Sequence, residues 1–280
     1  MIALGDLEIE SFVVTRFALD GGAMFGVVPK RLWSRESPSD EDNRIALTAR
    51  VLLVTNRRAG YRALIDVGLG DAWTPREREM YGLDGVALEA ALRRDGVDPD
   101  SITDVVLTHL HWDHSGGLAT RDASGVVRRA LPRATLRVGR EHRDYAARTA
   151  VKDKASFRAD ELRWAHAGDT VALDDECEAL PGLFVSRSNG HTRGLLVVEL
   201  RAAGERVIYP ADLLPMRAHA RPAWGMAYDN FPLTVVDEKR ALVEAAARDR
   251  ATIVLEHDPD VSAIRVSIDA GRWTAESVVL

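Results

Sequence analysis

Short runs in which nearly every position is apolar alternate along the chain with clusters of turn-forming residues. Residues 49–55 and 61–67 are two such runs, and the turn-like stretch ending at Gly60 between them predicts a β-hairpin. The second run stops at the glycine-rich loop Asp66-Val67-Gly68-Leu69-Gly70-Asp71. Apolar positions at helical spacing over residues 86–94 predict a helix, with Gly96 and Pro99 as its stop signal. Residues 104–108 read as a short buried strand, and further strands are expected at 135–138, 183–186, 195–200, 206–209 and 252–256. Helices are expected at 140–148 and 236–248, and residues 34–43 form the one markedly polar loop. Strand-rich halves with flanking helices predict an α/β (α+β) architecture of two packed sheets with helices outside.

Composition narrows the class. With 280 residues, 46% hydrophobic and 29% charged, the chain can bury a core without staples and is read as a single domain over 1–280. No apolar run approaches the ~20 residues of a membrane span. The first ten residues alternate apolar and acidic positions instead of forming a basic segment followed by an apolar one, so no secretory signal is read and a cytoplasmic location is expected. The one cysteine, Cys177, excludes an internal disulfide, and its acidic neighbours Asp174, Asp175, Glu176 and Glu178 disfavour a thiolate nucleophile. A net charge of −6 offers nothing to polyphosphate, so the expected partner is a small-molecule substrate and not nucleic acid or membrane, with a homodimer left open.

The chemistry concentrates in Thr108-His109-Leu110-His111-Trp112-Asp113-His114-Ser115-Gly116-Gly117, directly after a predicted strand. On extended backbone, residues two apart point the same way, so His109 and His111 can converge on one ion. A turn at Trp112 then lets Asp113 and His114 face a second position nearby. Imidazole and carboxylate are ligands that zinc favours, and paired ions in hydrolases lie ~3.5–4 Å apart. Gly116 and Gly117 would let the backbone pass close to its neighbours. His191, Asp212 and His257 each follow a short apolar strand. One such histidine alone reads as a surface or hydrogen-bonded residue; it is their joint occurrence with the cluster that marks them as the missing ligands.

The pattern His-x-His-x-Asp-His from His109 to His114 resembles the metallo-β-lactamase-fold superfamily, and the resemblance runs over nearly the whole chain. It implies a four-layer αββα sandwich whose strand-end loops meet along one edge of the sheets. It further implies two divalent metal ions per chain, zinc foremost with manganese or iron as alternatives. His109, His111 and His191 would hold the first, Asp113, His114 and His257 the second, and Asp212 would bridge them. Asp66 would support these ligands, or else cap its own loop. Residues 19–30 are similar to the subgroup of quorum-quenching lactonases and organophosphate hydrolases, against a plainer reading as a glycine-rich surface loop beside an edge strand. Two departures stand out. Pro215 occupies the place of an oxyanion-assisting tyrosine, for which Tyr228 is the replacement candidate unless it serves packing alone, and Arg193 stands where many members carry proline.

The implied function is a dinuclear hydrolase in which a metal-bridging hydroxide attacks a lactone or ester, with Asp113 or Asp212 receiving the proton and Tyr228 assisting. Residues 218–232 supply Trp224, Met226, Tyr228 and Phe231 as an apolar wall, whereas Arg193, Arg217 and Arg221 would favour an anionic substrate if they faced the ions. The alternatives are a phosphotriester or thioester hydrolase, a mononuclear iron persulfide dioxygenase-like enzyme, a nuclease, which would need a basic track, and a non-catalytic metal-stabilised binding module with a closed coordination shell. His142 and His166 are read as surface residues, and His219 as part of a solvated loop.

Overall fold

The computed structural model describes residues 1–84, 86–122 and 124–280. Its first sheet begins with β1 (Ile2–Leu4), β2 (Leu7–Asp20), β3 (Arg44–Asn56) and β4 (Tyr61–Ile65). It continues through β5 (Asp104–Leu107) to β8 (Thr135–Gly139) and β9 (Val171–Leu173), in the order β1-β2-β3-β4-β5-β8-β9. A two-stranded ribbon, β6 (Ala119–Arg121) and β7 (Val127–Arg129), lies apart. The second sheet runs in chain order: β10 (Glu176–Leu180), β11 (Leu183–Ser188), β12 (Leu195–Ala202), β13 (Glu205–Tyr209), β14 (Thr252–Val254), β15 (Ala263–Asp269) and β16 (Arg272–Val278).

The continuous apolar runs are explained by burial on both faces of the first sheet. Along β3, Leu52 and Val54 point into the core shared with Val185, Leu196, Val198 and Ile208 of the second sheet, while Val51 and Leu53 point the other way. The same alternation holds in β4, with Ala63 and Ile65 inward and Leu64 outward, and in β5, with Val106 inward and Val105 and Leu107 outward. The outward set packs with Leu88 and Leu92 of α4 (Leu88–Arg94), Ala146 of α6 (Arg140–Ala146) and Ala165 of α7 (Ala159–Ala165). On the far side of the second sheet, α8 (Pro232–Asp249) contributes Val235, Val243 and Ala246. The layers are therefore αββα, as expected.

The predicted hairpin is β3–β4, paired from Asn56↔Tyr61 to Leu52↔Ile65, and Gly60 turns it with φ +76°. The helix expected at 86–94 starts only at Leu88; that at 140–148 ends at Ala146; that at 236–248 begins earlier, on Pro232 at its first turn. Strands β1, β2, β6, β7, β9, β10, β15 and β16 were not predicted. In β15 and β16 most residues are charged or small and much of the surface faces solvent, so no apolar run announces them. Residues 19–30 form a surface loop only over 26–29: Leu19 and Asp20 finish β2, Asp20 accepts from Ala23 N–H to start α1 (Gly21–Phe25), and Met24 and Phe25 are buried. The short helices α2 (Lys30–Trp33) and α3 (Pro75–Tyr81) were also unforeseen, although α3 carries a complete capping box between Thr74 and Glu77. No helix among the described residues is long and apolar enough to cross a membrane.

Candidate metal centre

Parallel strands end together. β4 delivers Asp66, its parallel neighbour β5 delivers residues 108–114, and across the core β13 and β14 deliver Asp212 and His257. The β11–β12 connection carries His191, and the bond from Leu196 N–H to Thr108 O (2.8 Å) ties it to the first sheet. The expected turn after His111 is one helical turn, α5 (Trp112–Ser115), with His111 at its cap. It fits because Gly116 and Gly117 press on the strand-end loop: a Cβ would lie 2.4 Å from Leu69 O at Gly116 and 2.0 Å from Val67 O at Gly117. Any larger residue would push the turn away.

All seven predicted ligand residues are buried and converge. Ligand atoms of His109, His111, His191 and Asp212 lie within 4.8 Å of one another, as do those of Asp113, His114, Asp212 and His257, so Asp212 is common to both groups. In four of the five rings one nitrogen is engaged by the protein while the other faces Asp212. His191 Nδ1–H donates to Asp229 Oδ1 (2.9 Å), leaving Nε2 3.1 Å from Asp212 Oδ2. His257 Nδ1–H donates to Thr48 O (2.8 Å), leaving Nε2 3.0 Å from Asp212 Oδ1. His114 Nδ1 meets Asp66 Oδ2 (3.0 Å) and Glu256 Oε2 (2.9 Å), with Nε2 3.5 Å from Asp212 Oδ1. His109 Nδ1 sits 3.1 Å from the Thr108 hydroxyl, and its Nε2 has no hydrogen-bond partner. His111 differs: Nε2 lies 3.1 Å from Asp153 Oδ1 and Nδ1 lies 3.1 Å from His191 Nε2.

The charges in this cluster compensate one another. Burial and the adjacent imidazoles of His114 and His111 keep His109 well below the ordinary histidine range. Burial likewise lowers His111, against the pull of Asp153. Burial opposes protonation of His114, His191 and His257 as well, but the surrounding carboxylates prevail: Glu256 and Asp212 raise His114 well above its usual value, Asp212 and Asp229 raise His191, and Asp212 and Glu256 bring His257 to about 9. Burial would raise Asp212, yet His114, His191 and His257 hold its carboxyl well below the usual range. Burial lifts Glu256 to about 7. Protons thus occupy positions that a cation can take over.

The residues fit divalent cations. His109 Nε2 and Asp212 Oδ1 are buried without hydrogen-bond partners, a costly arrangement unless something binds them, and the donors are the imidazoles and carboxylates that zinc favours. Asp66 sits where a support for the ligands belongs: it accepts from Thr108 N–H (2.8 Å), from the Thr108 hydroxyl (2.7 Å) and from His114. Three supporting carboxylates escaped the sequence reading. Asp153 faces His111 and accepts from Tyr145, Thr192 and Asn230; Asp229 orients His191; Glu256 faces His114. Of these, Glu256 stood beside His257 and could have been flagged, whereas Asp153 and Asp229 lie in stretches with no local signature.

A cavity of about 150 Å³ opens onto the cluster, lined by His111, Asp113, His191, Asp212 and His257 and by Leu19, Met24, Leu47, Tyr81, Trp112, Met226 and Tyr228. Only Met226 and Tyr228 of the proposed wall line it. Trp224 packs edge-on against Phe25, and Phe231 is partly exposed beneath the Arg193 guanidinium. Burial pushes the Tyr228 phenol up to about 12. Arg193 lies over Phe231, Arg221 pairs with Glu36 (2.7 Å) and Arg217 approaches the same carboxylate (3.7 Å), so none of the three lines the cavity. Two histidine expectations are overturned. His142 and His219 are fully enclosed: the β11–β12 connection covers His142, and His219 stacks on Phe25 (5.0 Å) and donates from Nε2 to Met24 O (2.9 Å).

A family model described as the metallo-beta-lactamase superfamily matches residues 47–257. Over 116 residues the chain is 32% identical to the N-acyl homoserine lactonase AiiB of Agrobacterium fabrum and, over an equal length, 31% identical to AiiB of Rhizobium rhizogenes. Each match spans only 41% of the relative and of this chain. A probable metal-dependent hydrolase from Staphylococcus aureus superposes over 100% of both chains with a TM-score of 0.87 at 25% identity. AidC, a dizinc quorum-quenching lactonase, superposes over 100% of this chain and 97% of its own with a TM-score of 0.81 at 19% identity. Residues 47–257 of this chain, which contain the whole histidine and aspartate cluster, place it in the metallo-β-lactamase superfamily.

Proposed function

We propose that the chain, acting as one domain over residues 1–280, is a dinuclear metal-dependent hydrolase that cleaves a lactone or ester with an apolar tail. One observation carries the proposal: two clusters of buried donors share Asp212, and the rings of His109, His114, His191 and His257 each turn Nε2 toward it. On this reading His109, His111 and His191 hold one zinc ion, Asp113, His114 and His257 the other, and Asp212 both. When bound, the two ions supply Lewis acidity and lower the pKa of water to ~7, so that hydroxide is available at neutral pH.

The remaining roles fall to the chain itself. Asp113 and Asp212 are the carboxylates at the cavity floor, placed to take a proton from the attacking water and pass it to the leaving alkoxide. Tyr228 stays protonated at neutral pH and offers its phenol as a donor to the carbonyl oxygen as charge develops there. Leu19, Met24, Leu47, Trp112 and Met226 exclude water and take the apolar part of the substrate. Among the described residues no lysine or arginine lines the cavity, which disfavours a phosphodiester and leaves an uncharged phosphotriester as the second substrate class. The lactonase relatives and AidC support the first. A panel of lactones, esters, thioesters and phosphotriesters, run on zinc-loaded and chelated protein, tests the proposal. Lactone or ester turnover that the chelator abolishes is expected. Turnover that survives complete removal of metal would refute it.

A further inference from the structure

One imidazole outside the candidate ligand set joins the two loops that carry most of one cluster. His142, on α6, is fully buried. Its Nε2 accepts from Leu110 N–H at 2.8 Å, and its Nδ1–H donates to Arg193 O at 2.7 Å. Leu110 stands between His109 and His111, and Arg193 follows His191 by two residues. A backbone N–H can only donate and a carbonyl can only accept, so the two bonds together require a neutral ring with its proton on Nδ1. Phe157 fixes the plane of the ring, stacking on it at 5.9 Å while packing edge-on against His111 at 5.0 Å. The helix start and the histidine loop are in direct contact: a Cβ at Gly194 would lie 2.4 Å from His142 N. A group that bridges two loops by hydrogen bonds of opposite sense sets their separation.

We propose that His142 is a positioning residue that fixes residues 109–111 against the His191 loop, and thereby sets the affinity of the cluster His109, His111, His191 and Asp212 for a divalent cation. Among the described residues no hydrogen bond or ring contact joins His142 to Asp113, His114 or His257, and their cluster is left largely unchanged. This inference rests on the reading of both clusters as cation sites. Partners that orient metal ligands typically contribute 10–100-fold in affinity.

The test is a zinc titration of the metal-free full-length chain against a competing chelator, with the two steps assigned by comparison with His191→Ala. His142→Phe keeps the ring volume and loses both hydrogen bonds, whereas the amide of His142→Gln can accept from Leu110 and donate to Arg193. The expected result is one step weakened about 10–100-fold in His142→Phe, the other unchanged, and affinity largely restored in His142→Gln. Equal affinity of His142→Phe and the parent in both steps, or equal weakening of both steps, would overturn the proposal. Should His142→Phe fail to fold, ¹H–¹⁵N correlation of the parent reads the tautomer directly: a proton on Nδ1 alone is expected, and a proton on Nε2 overturns it. A parent that takes up no zinc would instead refute the cation sites, while the tautomer would still be readable.

Discussion

His191 donates from Nδ1 to Asp229 Oδ1 at 2.9 Å, and that single bond leaves its other nitrogen, 3.1 Å from Asp212 Oδ2, facing the shared carboxylate. Asp229 is itself held by Met226 N–H at 2.8 Å, so the loop that lines the cavity also orients a candidate ligand. Asp229→Ala is expected to lower zinc affinity about 10–100-fold, with Asp229→Asn milder because its amide oxygen can still accept from Nδ1–H. Competition against a chromophoric chelator measures both, and unchanged affinity in Asp229→Ala would show that His191 needs no such partner.

Asp212→Ala is expected to cost far more activity than Tyr228→Phe. The first removes the carboxylate common to both clusters, the second at most one donor to a developing oxyanion, worth about 10²–10³ in turnover. Comparing kcat on one lactone at equal metal loading decides it, and equal losses with both ions retained would contradict the role given to Asp212.

Glu161 predicts a pH dependence of stability that is independent of the metal centre. It is buried, its Oε2 has no hydrogen-bond partner, and burial raises its carboxyl from 4.5 to about 7. Between those values the folded chain binds the proton more tightly than the unfolded chain. The contribution is therefore fully present below pH 4.5 and lost as pH rises through 7, a swing of about 3 kcal/mol at most. Glu161→Gln should match the parent near pH 4 and exceed it at pH 8 in urea denaturation. A difference that does not vary with pH would remove Glu161 as the cause.

The cavity predicts a response to chain length. Each methylene buried among Leu19, Met24, Leu47 and Met226 contributes ~0.8 kcal/mol until the space is filled. kcat/KM should therefore rise several-fold per added methylene through short acyl lactones and then level off, whereas a phosphodiester should remain poor. A flat series would remove the acyl-binding role of this wall.

Much of the fold and the candidate site was legible in the sequence for one physical reason: strands buried on both faces are written as unbroken apolar runs. Residues 49–55, 104–108 and 252–256 announced themselves this way, and each of the seven predicted ligand residues lies at or just past the end of such a run or in its connecting loop. What stayed hidden lacked a local signal. β15 and β16 are half-exposed and mixed in character; Asp153 and Asp229 gain their meaning only when distant loops meet. His142 read as a surface residue because its helix is polar by composition, yet the β11–β12 connection covers it. Of the four aromatic and thioether residues expected along the cavity, Trp224 and Phe231 turned elsewhere, while Tyr81 and Trp112 arrived from remote segments.

The central claim is that two groups of side chains sharing Asp212 each hold a cation, and the most direct test is the metal content of the purified chain after saturation with zinc and removal of the excess. Elemental analysis should find two zinc ions per chain, falling toward one in His257→Ala; no more than one per chain in the parent would contradict the account.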